Sequence, residues 1–129
     1  MLEHCTLCPR LCGANRNAGE HGFCGADARI RIGLASLHQW EEPCLSGTNG
    51  AGTVFFCHCP LGCVYCQNHD ISGLDADASG ICTDISGLAD TFLSLQQRGA
   101  HNIDLVTPTQ YAAQLTQAIP LARRRGLTI

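Results

Sequence analysis

In Thr53-Val54-Phe55-Phe56-Cys57-His58-Cys59-Pro60-Leu61-Gly62-Cys63-Val64-Tyr65-Cys66 a short apolar run passes directly into three cysteines spaced CxxxCxxC. The run Thr53–Cys57 has the length and the β-branched and aromatic content of a buried strand. Cys59, Cys63 and Cys66 then fall on a loop at its end. Thiolate is a soft ligand suited to iron–sulfur clusters or zinc, and thiols this closely spaced can ligate one compact centre. On a four-iron cluster three ligands leave one iron uncovered. An incomplete set is what a catalytic metal requires, because substrate must occupy the vacant position.

Downstream, the pattern becomes regular. Ile85, Leu88, Ala89, Phe92 and Leu93 share one helical face, with Thr83 or Asp84 as N-cap and Gly99 as the stop. Asn102–Thr107 predicts a strand closed by Pro108, and Tyr111, Leu115, Ala118, Ile119 and Ala122 mark a second helix. Its last turn carries Arg123, Arg124 and Arg125, a favourable charge at a helix C-terminus, and we prefer that reading to a nucleic-acid patch. Leu127-Thr128-Ile129 predicts the start of a third strand. Upstream, Arg29–Leu34 alternates as a half-exposed strand does, and Gly47–Gly52 reads as a turn, because a dinucleotide fingerprint would follow a strand and this one precedes it. The expected fold is therefore α/β, with two consecutive βα units, right-handed crossovers and a parallel sheet. Ligands gather at the C-terminal ends of such strands, where the cysteine loop lies.

The chain has 129 residues, 13.8 kDa and a net charge of −3, and its eight basic residues are all Arg. Without lysine, Walker-type phosphate loops and Schiff-base chemistry are excluded, and an acidic balance argues against a nucleic-acid footprint. A full (β/α)₈ barrel needs about 250 residues. No apolar run suits a membrane span and the N-terminus lacks a signal-peptide pattern, so the expected setting is the cytoplasm, with no membrane partner. There, ten cysteines point to metal or redox chemistry rather than disulfides.

Residues 1–28 are cysteine-rich and lack apolar periodicity, so something other than a hydrophobic core must order them; bound metal is the obvious candidate. Cys5, Cys8, Cys12 and Cys24 offer four soft ligands for zinc or for a second cluster, and spacing does not choose between the two. A connector, 29–52, separates this segment from the βα units of 53–129. Cys57 reads as a buried structural thiol; as a fourth ligand it would close the cluster and leave only electron transfer. Cys44 and Cys82 have no evident partner, His58 and His69 flank the loop and could hydrogen-bond to its sulfurs, and Trp40 suits core or site equally.

The stretch FFCHCPLGCVYCQNHDIS, residues 55–72, resembles the cluster loop of radical S-adenosylmethionine (SAM) enzymes. CTLCPRLCGANRNAGEHGFCG (5–25), WEEPCLSGTNGAGTVFF (40–56) and GAHNIDLVTPTQY (99–111) narrow the likeness to homologues of pyruvate formate-lyase activating enzyme. The resemblance implies the N-terminal part of an open partial (β/α) barrel, with Cys59, Cys63 and Cys66 holding a [4Fe–4S] cluster whose fourth iron binds SAM. It implies reductive cleavage of SAM to a 5′-deoxyadenosyl radical, Tyr65 against the adenine, and Thr107 and Thr109 on SAM, although no acid stands in that segment. Gln110 stands where relatives tend to have His. The implied partners are a reductant such as flavodoxin or ferredoxin and a glycyl radical enzyme. Proteins of this type continue further, so the sequence is expected to be an N-terminal portion that binds iron and turns over SAM poorly. An electron-transfer iron–sulfur protein and a zinc-stabilised interaction module are the alternatives.

Overall fold

A computed structural model describes residues 1–74, 76 and 79–129. After a mainly irregular N-terminal segment the elements run β1 (Ile30–His38), α1 (Pro43–Ser46), β2 (Ala51–Phe56), α2 (His69–Ser72), β3 (Ile81–Thr83), α3 (Ile85–Gln97), β4 (Ile103–Val106) and α4 (Ala112–Arg124). The strands form one sheet in the order β3-β1-β2-β4. The β2 and β4 pair is parallel, with Val54 opposite Leu105, while β1 is antiparallel to both β2 and β3.

The sheet is thus mixed, which corrects the parallel expectation for every pair but β2–β4. Between β1 and β2 lies only the single-turn α1, too short for the crossover that parallel strands need, so the chain folds back antiparallel. Between β2 and β4 the thirteen-residue α3 supplies that crossover. Strand β3 was not foreseen: its three residues are mostly exposed and have no core pattern to betray them. Leu127–Ile129 forms no strand either. The N–H groups of Thr128 and Ile129 donate to the Gln96 Oε1 at 2.7 and 3.3 Å, tying the segment to α3 instead of to β4.

Asp84 caps α3 by accepting from the Gly87 N–H at 2.8 Å. Leu88, Ala89, Phe92 and Leu95 bury its inner face, and Leu115, Ala118 and Ala122 of α4 join the same core with Ile30, Ile32, Val54 and Phe56 of the sheet. Tyr111 closes this core beneath the cysteine loop, its ring 5.5 Å from that of Phe56. Trp40 is 91% exposed, so of its two readings the core one does not hold. Among the described residues no helix is long and apolar enough to cross a membrane.

Candidate functional site

The ladder of β2 runs one residue beyond the strand, because the Cys57 N–H donates to the Arg31 carbonyl at 3.0 Å. The chain then turns through His58, a buried residue at φ 67°, whose N–H donates to the Ile71 carbonyl and whose Nδ1 lies 3.2 Å from the Gly73 carbonyl. From there Cys59 emerges at the C-terminal ends of the parallel strands β2 and β4. A cleft of about 460 Å³ opens beside it, bordered by Cys59 and Leu61 on the loop, Thr107 and Thr109 after β4, and Cys8 and Arg10 of the N-terminal segment. That volume is in the range of small-molecule sites.

Strain gathers here. Among the described residues the non-glycine positions with positive φ are Leu11, His58 and Thr107, all at or next to the residues bordering the cleft. A β-branched residue at φ 53° such as Thr107 costs about 1–3 kcal/mol and persists only where its surroundings hold it. The Thr107 Oγ1 donates to the Phe56 carbonyl at 3.2 Å, which binds the end of β4 to the end of β2.

The loop sulfurs already receive donors. The Leu61 N–H lies 3.5 Å from the Cys59 sulfur, and the Ser72 hydroxyl 3.6 Å from that of Cys66. Such hydrogen bonds stabilise negative charge on sulfur, and they suit a thiolate that ligates a metal. His69 instead pairs with Asp70 at 2.8 Å. Cys63 is exposed, and the Tyr65 ring, 86% exposed, does not border the cleft. Cys57 is fully buried against Gly80.

Gln110 fixes the start of the loop. It is 3% exposed, and its Nε2 donates to the Cys57 carbonyl at 2.9 Å and to the His58 carbonyl at 2.7 Å. Behind it stands Arg16, 1% exposed. The Arg16 guanidinium donates to the Gln110 carbonyl at 2.7 Å and twice to the Asp27 carbonyl, at 3.0 and 2.6 Å. This buried cation, unmarked in the sequence except by its place in a segment without a core, ties residues 1–28 to the rest of the chain. Arg10 adds a second tie: it stacks on Phe23 and donates to the Pro60 and Leu61 carbonyls at 3.0 and 3.3 Å.

Of the four N-terminal cysteines, Cys12 and Cys24 flank Gly22, Cys5 has its sulfur 3.9 Å from the Arg16 Nη1, and Cys8 borders the cleft with Cys59. Backbone N–H groups of Ala14 and Phe23 directed at its sulfur hold the Cys12 thiol below the ordinary range, while burial pushes Cys24 up. Among the described residues no three His, Cys, Asp or Glu side chains stand as a finished ligand set. The donor chemistry of the loop suits thiophilic metal, because the Cys59 and Cys66 sulfurs each receive a hydrogen bond; of the thiols, Cys8 and Cys59 border the cleft.

Fold and site together define a small α/β chain with a mixed four-stranded sheet and a cysteine-bordered cleft at the ends of its parallel strands. No family model matches the sequence. Over 75 residues it is 40% identical to the uncharacterized protein MJ0674 of Methanocaldococcus jannaschii; the match covers 56% of this chain and 20% of that protein, so the chain matches about a fifth of the relative's length. No solved structure matches it.

Proposed function

We propose that this chain carries the cluster-binding part of a radical SAM enzyme, on the first βα units of a partial (β/α) barrel. One observation carries the reading: the CxxxCxxC loop leaves β2 at the C-terminal end of a parallel pair, beside a cleft of about 460 Å³ that Thr107 and Thr109 also border. On this reading Cys59, Cys63 and Cys66 hold a [4Fe–4S] cluster and SAM occupies the cleft. Together the bound groups supply reductive cleavage of the sulfonium bond, one electron from the cluster yielding methionine and a 5′-deoxyadenosyl radical. The protein's own residues hold and shield: Leu61 N–H and Ser72 Oγ stabilise charge on two sulfurs, and Gln110 fixes the loop. The exposed Val64 and Tyr65 give a reductant of the flavodoxin or ferredoxin class a face to approach. A glycyl radical enzyme is the substrate that this reading favours, and the reducing cytoplasm the compartment in which such thiols stay free.

Anaerobic reconstitution of the full chain tests the assignment. Iron and sulfide are expected to bind in equal number, to be lost in Cys59→Ser, Cys63→Ser and Cys66→Ser, and to survive in Cys57→Ala. Retention in Cys63→Ser, loss in a folded Cys57→Ala, or zinc without sulfide at the loop would overturn it, the second in favour of a closed electron carrier.

A further inference from the structure

Among the described residues that border the cleft beside Cys59, Arg10 is the one fixed charge, and no Asp, Glu, His or Lys stands with it. Arg10 is also held in place. Its guanidinium carbon sits 4.2 Å from the centroid of the Phe23 ring, Nε donates to the Pro60 carbonyl at 3.0 Å, and Nη2 donates to the Leu61 carbonyl at 3.3 Å. A guanidinium has five N–H donors, so these two bonds leave both donors of Nη1 and one of Nη2. Among the described residues those three meet no acceptor, and Arg10 makes no ion pair. The two carbonyls take the Nε side of the fork. The Nη1–Nη2 edge, which can pair bidentately with a carboxylate, stays open. Thr109, on the same border, likewise has a hydroxyl with no hydrogen-bond partner among the described residues.

We propose that Arg10 is the anion-recognising residue of this cleft, which takes a ligand bearing a carboxylate: the open guanidinium edge receives that group, and the Thr109 hydroxyl adds a neutral donor. Pro9, Pro60 and Leu61 give the same cleft an apolar wall for the uncharged body of the ligand. A charge-assisted bidentate pair is stronger than a neutral hydrogen bond, and a guanidinium already clamped loses little freedom when it binds. Because Arg10 also holds two carbonyls between Cys59 and Cys63, residues 1–28 contribute to the site as well as packing beside it. The inference deepens the proposed function and rests on its placing the ligand in this cleft. The carboxylate is that of SAM or of a separate substrate, and what Arg10 recognises is the same in both.

Calorimetric titration of the full chain, iron-loaded and unloaded, uses two pairs of probes that differ by a carboxylate: SAM and its decarboxylated analogue, and hexanoate and hexanamide. In at least one pair the carboxylate member should bind about tenfold more tightly or better. That preference should fall at least about fivefold in Arg10→Met, while the member without a carboxylate changes by less than about twofold. It should fall by less in Arg10→Lys, which keeps the charge without the fork. Thr109→Val, which leaves both loop carbonyls tied, should lower it about two- to threefold. A preference in the SAM pair assigns the carboxylate to SAM, and one confined to hexanoate assigns it to a separate substrate. No preference in either pair, or one undiminished in a folded Arg10→Met, would overturn the proposal. Should Arg10→Met fail to fold, a native preference in Arg10→Lys would overturn it equally. Failure to load iron beside an Arg10-dependent preference for hexanoate would sink the cluster reading and leave this one standing.

Discussion

Replacing Gln110 by Leu keeps the volume of a buried side chain and deletes its two donated hydrogen bonds, 2.9 Å to the Cys57 carbonyl and 2.7 Å to the His58 carbonyl. Depriving a buried acceptor of its donor costs about 1–3 kcal/mol each. The substitution also removes the Gln110 Oε1, which has no donor among the described residues, and that returns about 1 kcal/mol. The expected net loss is about 1–5 kcal/mol, a large share of a small domain's stability. Gln110→Glu should be worse at neutral pH, since a carboxylate would face two carbonyl oxygens, and should recover as acid returns a proton to donate. Urea unfolding followed by far-UV circular dichroism measures both; Trp40, already exposed in the fold, is a poor reporter. A Gln110→Leu variant within about 0.5 kcal/mol of the native chain would refute the clamp, as would a Gln110→Glu variant no worse than Gln110→Leu.

Three further outcomes follow. Burial opposes the Asp27 carboxylate, but the side-chain and backbone N–H groups of Arg29 outweigh it and hold its pKa below the ordinary carboxylate range. The stabilisation is therefore complete above the unfolded value of about 3.9 and fades as pH falls through the lower folded value, so the stability gap between the native chain and Asp27→Asn should shrink in acid; a constant gap would contradict it. Gly80→Ala would overlap the Cys57 sulfur and should cost about 1–3 kcal/mol, most of it regained in the Gly80→Ala/Cys57→Ala double variant; additive losses would place that sulfur elsewhere. Leu88→Ala, at a fully buried position of α3, should cost about 2–5 kcal/mol by the same urea assay, and a loss under about 1 kcal/mol would misplace the core.

The helices were legible because their apolar residues repeat at helical spacing: Leu88, Ala89 and Phe92 are buried on α3 as the pattern requires, and Leu115, Ala118 and Ala122 on α4. The position of the cysteine loop after a buried strand was legible from the continuous apolar run Thr53–Cys57. Strand direction was not. Arg29–Leu34 signals a strand in a way that does not depend on its neighbours, and the antiparallel return follows from a connection whose only helix, α1, has one turn. Arg10, Arg16 and Gln110 were missed as organisers because their roles are contacts across 50 or more positions of chain or, for Arg16, burial without a carboxylate, and neither leaves a local pattern. At the N-terminus spacing shows four cysteines close in sequence, but not that Cys8 also borders the cleft with Cys59 or that Cys12 and Cys24 flank Gly22, because those placements depend on turns and long-range packing.

Electron paramagnetic resonance of the anaerobically reconstituted, dithionite-reduced chain, with and without SAM, bears most directly on the three-cysteine centre. A spectrum that shifts on adding SAM, and does so only when Cys59, Cys63 and Cys66 are intact, is the expected result. A four-iron signal indifferent to SAM at saturating concentration would mean that the remaining iron is already capped, and the loop would then carry electrons rather than open the sulfonium bond.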